Sequence, residues 1–285
     1  MRTLLTVLSI GSCLLAMSSV LADRRVEHRE EFSFTREAGA GEKLSVENMN
    51  GRVQVRGIAG LSQIRITGTK IATGRTAEDA KNHIGDITID IDQTARGIIV
   101  TTRHPNGSGE RNYTVNYVIE VPQNWQVQAR VANGSVAIAG ISNSTSANIA
   151  NGELEASDIR GTIDAEVANG SIKGNAHIPA NATCNLKTSN GSIDATLQVA
   201  SSAKCNLETV NGEITLALPP STSAGVSAST LTGRISVEDL EFSNRVNSRP
   251  NMIGQEFKGT LGGGASSIAL QVHNGQIVLK AAETR

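Results

Sequence analysis

The chain has 285 residues, a formal net charge of -1 and only 2% aromatic residues. Near-neutral charge argues against a nucleic-acid partner, because counterion release needs a basic surface, and so few rings leave little on which bases could stack. A hydrophobic content of 39% belongs to a folded chain rather than a disordered one.

The first 22 residues carry Arg2, then an apolar run, then small residues ending Val20-Leu21-Ala22. They read as a secretory signal with cleavage after Ala22, so that the mature chain starts at Asp23. Ser9, Gly11, Ser12, Ser18 and Ser19 interrupt the run and disfavour an uncleaved anchor. Ile10-Gly11-Ser12-Cys13 resembles a lipobox and makes lipid attachment at Cys13 the rival reading. No later stretch reaches the ~18 apolar residues that a membrane-spanning helix needs. The expectation is export to the periplasm, cell surface or medium, with no transmembrane segment in the mature chain. Two cysteines remain, Cys184 and Cys205, in a compartment where disulfides persist.

Residues 23–125 read as an irregular, β-rich N-terminal part. Asn50-Gly51-Arg52-Val53 looks like an isolated first copy of the Asn-Gly corner that recurs later in the chain. Gln63 to Ile71 alternates as a strand does. Thr76 followed by Glu78 and Asp79 predicts a short helix over 76–84, with Thr76 as N-cap. Asp86 to Asp92 then alternates, which places Asp86, Asp90 and Asp92 on one strand face. Oxygen ligands of that kind could hold Ca²⁺, but a solvated polar face is the plainer expectation. Residues 105–109 read as a loop, and Tyr113 to Val121 as a strand ended by Pro122.

Residues 126–285 contain a repeat. Asn-Gly recurs at Asn133, Asn151, Asn169, Asn190 and Asn211, Thr232-Gly233 takes the next slot, and Asn274-Gly275 closes the series. The spacings are 18, 18, 21, 21, 21 and 42. Three positions after each corner stands an aliphatic residue: Val136, Leu154, Ile172, Ile193, Ile214, Ile235 and Ile277. Two, four and six positions before it, small or apolar residues and Thr alternate with polar ones. Each unit therefore reads as strand, tight corner, strand, with one face buried. A meander of Asn-Gly hairpins would fit this pattern. A β-solenoid also fits, and residue types that recur between neighbouring units favour it: Cys184 with Cys205, and Thr188 with Thr209 and Thr230. In a solenoid, Asn133, Asn151, Asn169, Asn190, Asn211 and Asn274 would form a structural corner ladder. Cys184 and Cys205 would sit on adjacent coils ~4.8 Å apart, within reach of a disulfide. From Glu238 to Gly264 the rhythm is lost, which suggests an irregular excursion over 238–264.

Several segments together carry a resemblance. They are Val46-Glu47-Asn48-Met49-Asn50-Gly51-Arg52-Val53, the helix at Thr76–Ile84, and Tyr117-Val118-Ile119-Glu120-Val121-Pro122. The Asn-Gly series, Leu261-Gly262-Gly263-Gly264 and His273-Asn274-Gly275-Gln276-Ile277 complete the set. The chain resembles the bacterial "putative adhesin" family of β-strand-repeat proteins of unknown function. The resemblance implies an all-β fold, a right-handed parallel β-helix or β-solenoid with 18–21-residue coils and one short N-terminal helix. It implies an exported envelope protein and supplies no catalytic residues.

The five histidines, His28, His83, His104, His177 and His273, stand at no metal-ligand spacing. No cofactor and no metal is expected. The rival function is a carbohydrate-active β-helix enzyme or a polysaccharide-binding protein. Its carboxylates would come from Glu153, Glu155, Asp158, Asp164, Glu166 and Asp194. The residue pattern favours a non-enzymatic binding or structural module, its partner an envelope or surface protein or a glycan.

Overall fold

The computed structural model describes residues 25–38, 43–94, 96–106, 111–247 and 254–282. The signal segment 1–22, its cleavage point and Cys13 lie outside the described residues.

The described chain is all-β with one short helix. Strands β1 (Val26–Glu37), β2 (Lys43–Asn50), β3 (Val53–Ile58) and β4 (Gln63–Gly74) precede helix α1 (Ala77–His83) and a 3₁₀ turn at Ile84–Asp86. Then come β5 (Thr88–Thr94), β6 (Gly97–Arg103), β7 (Asn112–Pro122), β8 (Gln126–Ala139), β9 (Thr145–Arg160) and β10 (Ile163–Ile178). Next are β11 (Thr183–Asn190), β12 (Ile193–Val199), β13 (Lys204–Leu218), β14 (Ala224–Thr232) and β15 (Ile235–Glu238). Last are β16 (Ser243–Asn247), β17 (Gln255–Leu261) and β18 (Ser266–Ala281).

Equal offsets of neighbouring units pair directly and in parallel. Asn133 lies opposite Asn151 between β8 and β9, and Asn151 opposite Asn169 between β9 and β10. Ile172, Ile193 and Ile214 succeed one another across β10, β12 and β13. A hairpin at each Asn-Gly would instead pair the strands on either side of it antiparallel. Here β8, β9 and β10 run unbroken through their corners.

Both ends of the stack depart from chain order. Asn50 lies opposite Asn133, and Val53 opposite Val136, so the corner at Asn50 is not isolated but is the next layer of the stack. At the other end β18 pairs with β13 along one edge and with β14 and β15 along the other. The spatial order is therefore Asn211, Asn274, Thr232. The spacing of 42 is an excursion after which the chain returns and inserts its last unit between two earlier ones.

The stretch 238–264 is only partly irregular. β17 pairs antiparallel with β14, and β16 with β17. Phe257 is buried and meets Phe242 edge-on, centroids 4.9 Å apart. The N-terminal end is finished likewise, with β1 antiparallel to β4, β4 to β7, and β5 to β6. Antiparallel terminal strands carrying charges interrupt the parallel template that an open stack would present.

The core consists of aligned columns. Val53, Val136, Leu154, Ile172, Ile193, Ile214 and Ile277 are all buried, and Ile235 at the end of the column is half-buried. Stacked β-branched residues pack well at the strand spacing, which is why Ile recurs at this offset. The large rings gather at the N-terminal end. Trp125 and Tyr117 are fully buried, and the Tyr117 hydroxyl meets that of Thr102 at 2.6 Å.

Thr76 caps α1, its hydroxyl accepting from the Asp79 N–H at 3.1 Å. The helix ends at His83, and the strand expected from Asp86 begins at Thr88. The Asp86 carboxylate is held by His83 and by the Tyr113 hydroxyl, which keeps this residue in the turn.

One irregularity lies inside the stack. Between β9 and β10, Ala156 faces Gly174 but Ile159 faces Ala176, so Ser157 and Asp158 together oppose Asn175. Asp158 has φ 49°, and its N–H donates to the Asn175 Oδ1 at 2.9 Å. An Asn side chain thus replaces the strand partner that the bulge removes.

Candidate functional site

The most regular surface feature is the column of corner asparagines. Asn133 donates its side-chain N–H to the Oδ1 of Asn50 at 2.9 Å, Asn151 to Asn133 at 2.9 Å, and Asn169 to Asn151 at 3.0 Å. Asn190 donates to Asn169, Asn211 to Asn190 and Asn274 to Asn211, each at 2.9 Å. All six bonds point the same way along the stack, so their dipoles add. Asn50 in turn donates to the backbone oxygen of Tyr113 at 3.1 Å, which ties the column to β7.

Glycine follows each asparagine for two reasons. Its φ lies between 141° and 151° at Gly134, Gly152, Gly170, Gly191, Gly212, Gly233 and Gly275. A Cβ at Gly191 would also run into the carbonyl oxygen of Gly170 in the neighbouring unit. Only glycine meets both demands. The Thr188 and Thr209 hydroxyls donate to the carbonyls of Gly170 and Gly191 at 3.2 Å, and that of Thr230 to Gly275 at 3.1 Å. Sequence reasoning placed these threonines on the inner face but missed their bonds to the glycine carbonyls. The available signal was the change from Val or Ile to Thr at one offset.

Cys184 lies directly opposite Cys205, and both are buried free thiols. The hydrogen bond with the neighbouring Cys205 thiol, together with burial, pushes the Cys184 pKa well up.

On the outer side the stacking rule is alternation of charge. Arg130 pairs with Glu47 at 2.9 Å and Lys187 with Glu208 at 3.4 Å, in both cases across neighbouring strands at one offset. Like charges stacked this closely would repel. The six candidate carboxylates stand apart from one another. Glu155 stacks on Lys173, and Lys173 on Asp194. Asp164 lies between Ser146 and Asn185, and Glu166 between Asn148 and Lys187. Glu153 lies between Ser135 and Ser171. None of the six stacks on another.

Asp86, Asp90 and Asp92 do not form one site. Asp90 binds Arg103 at 3.1 Å, while Asp86 belongs to a cluster at the N-terminal end. There His83 bridges Asp79 at 3.3 Å and Asp86 at 2.9 Å, Arg111 reaches Asp79 at 3.1 Å, and the Tyr113 hydroxyl donates to Asp86 at 2.8 Å. The Arg75 N–H and the Arg111 guanidinium hold the Asp79 carboxyl below the ordinary value. His83 and Tyr113 do the same for Asp86, while burial and the Asp86 carboxylate push Tyr113 up. His104 lies against Tyr113, ring centroids 5.3 Å apart.

No family model matches the chain, and no curated protein matches it. Similar solved structures include a "putative cell adhesion protein" of Clostridium sporogenes, 14% identical, with a TM-score of 0.37 over 90% of this chain and all of that one. A "putative adhesin" of Bacteroides fragilis is 12% identical, with a TM-score of 0.49 over 89% of this chain and 97% of that one. A "putative lipid binding protein" of Parabacteroides distasonis is 12% identical, with a TM-score of 0.35 over 88% and 97%. Likenesses of this degree carry no argument about what the chain binds.

Proposed function

We propose that the protein is an exported, non-enzymatic module of the cell envelope or surface, a rigid right-handed solenoid that binds or spaces other envelope components. The observation that carries this reading is the column of six co-directed Asn bonds. It fixes the register of successive units and holds their polar side chains in repeating rows. Rows of this kind suit weak, repeated contacts whose strength comes from multivalency. The partner class is an envelope or surface protein or a glycan. Lys173 stands between Glu155 and Asp194, so no two of the six carboxylates stack as the close pair of a retaining glycosidase, which supports binding over that chemistry.

The test is expression of the full chain in a bacterial host, fractionation, and capture of envelope material on the exported product. Mass spectrometry should find a free N-terminus at Asp23 and reproducible envelope partners. A cytoplasmic product that keeps Met1 would overturn the reading, as would turnover of a polysaccharide abolished by one carboxylate substitution. A diacylglyceryl group on Cys13 would keep the envelope assignment and replace cleavage after Ala22 with lipid anchoring.

A further inference from the structure

The strand register shifts at the bulge between β9 and β10, and a polar hollow of about 440 Å³ opens there. That volume lies within the range of small-ligand sites. Its lining comes from three successive strands: Asp158 and Arg160 of β9, Asn175 and His177 of β10, and Thr196 and Gln198 of β12. The bulge costs β9 a strand partner and places a non-glycine residue, Asp158, in the left-handed region. Bulges and left-handed residues of this sort concentrate where a side chain has to be re-aimed for function.

The chemistry of the lining is specific. Arg160 Nε donates to Asp158 Oδ1 at 3.1 Å, and both side chains are about two-thirds exposed, at 67% and 64%. Donors and acceptors therefore stand side by side at the mouth. A vicinal diol matches such a pair, one hydroxyl donating to the carboxylate while its neighbour accepts from the guanidinium. The His177 Nδ1 lies 3.3 Å from Gln198 Oε1, which joins these two side chains in the lining. Thr196 and Asn175 add polar groups, the Asn175 Oδ1 already accepting from the Asp158 N–H. Asp158 and Arg160 cancel in charge, so the hollow does not select an ion.

From this arrangement we propose that the hollow at Asp158, Arg160, Asn175, His177, Thr196 and Gln198 is a subsite for a neutral saccharide residue, held through its vicinal hydroxyls. The proposal rests on the reading of the protein as an envelope-binding module, and it names one site and one ligand class for it.

The probe is an array of neutral hexose and N-acetylhexosamine oligomers, with uronate oligomers as the charged set. Titration calorimetry follows on the exported protein. Three variants are compared: Arg160→Ala and Gln198→Ala in the hollow, and Lys187→Ala on the strand before the corner. The expected result is binding of neutral oligomers, weakened about tenfold or more in the first two variants and unchanged in the third, with circular dichroism unchanged in all. The proposal is overturned by no neutral binding, by a preference for uronates, by undiminished binding in Arg160→Ala, or by equal loss in Lys187→Ala. Each of those results leaves export and envelope capture standing, because they are measured separately. Capture of a protein through an intact hollow with no glycan bound would likewise overturn the saccharide assignment alone.

Discussion

Asn50 and Asn133 are 83 residues apart and share a side-chain hydrogen bond of 2.9 Å. The bond joins the N-terminal strands to the repeat at the same offset that links every later pair of units. Above it, Asn50 reaches the Tyr113 carbonyl, and Tyr113 reaches Asp86 and His104. The Asn column and the cluster around α1 are thus one connected network, which guides the choice of perturbations below.

The column and the glycines beside it should differ sharply in their sensitivity. Asn190→Ala removes two exposed side-chain bonds and should cost about 1 kcal/mol. Gly191→Ala forces an L-residue to φ 149° and drives its Cβ into the Gly170 carbonyl, so a loss of about 3 kcal/mol or more is expected. Denaturant midpoints of the two variants decide the matter. The reverse order would remove the glycine argument.

Inner and outer rows should differ as well. Ile193 is fully buried between Ile172 and Ile214, so Ile193→Asp would leave an unpaired charge in the column and should prevent stable folding. Glu213 accepts from Gln276 and Thr215 at the surface, so Glu213→Ala should cost about 1 kcal/mol or less. Equal destabilisation by the two substitutions would contradict the register.

The thiols should be protected. Cys184 is buried, and its pKa is raised in the folded chain by the neighbouring thiol and by burial. A raised folded pKa stabilises the fold below the unfolded thiol value, about 8.5, and this contribution is lost as pH climbs past that value. Reaction with a water-soluble disulfide reagent should be slow at pH 7 and rapid in denaturant, and the unfolding midpoint should fall between pH 8 and pH 10. A Cys184→Ala, Cys205→Ala double variant should fall less over that range. Fast labelling of the native protein would show that the pair is not buried as described.

The N-terminal cluster responds in the opposite direction. Asp79 and Asp86 have folded pKa values below their unfolded ones, so their contribution is present at neutral pH and is lost as pH falls below the ordinary carboxylate range. Hydrogen-exchange protection in α1, measured against the unfolded-chain rate at the same pH, should fall below about pH 4, before protection in β9 and β10 does. His83→Ala should give the same local loosening at pH 7. Simultaneous opening of α1 and the stack in acid would argue against a separately held cluster.

Much of the interior was legible because each offset repeats. The apolar column from Val136 to Ile277 and the six corner asparagines could be read from spacing alone. Alternation fixes which side of a strand is wet, and an Asn-Gly step demands special backbone geometry wherever it occurs. What spacing could not convey is which layer lies against which. The series lists Thr232 before Asn274, yet Asn274 sits between Asn211 and Thr232. Asn50 carried the corner signature but no period to link it to Asn133. The bulge at Asp158 was hidden for a related reason: its two opposing residues look like one more alternation until β9 and β10 are laid side by side. Asp86 misled because its alternation with Ile87 and Asp90 is genuine. Two side chains, His83 three residues before it and Tyr113 on β7, hold it in the turn instead.

The insertion of β18 between β13 and β14–β15 sets an order of events during folding. Units from β8 to β13 can stack in chain order, each on its predecessor. The Thr232 unit cannot do the same, because the strand that joins it to the stack, β18, comes later in the chain. Until residues 266–281 are in place, β13 keeps an open edge and β14 has β17 as its strand partner. This end of the stack is therefore completed when β18 fills a slot between earlier strands. Losing β18 would remove an interior layer and strand β14, β15, β16 and β17 beyond it.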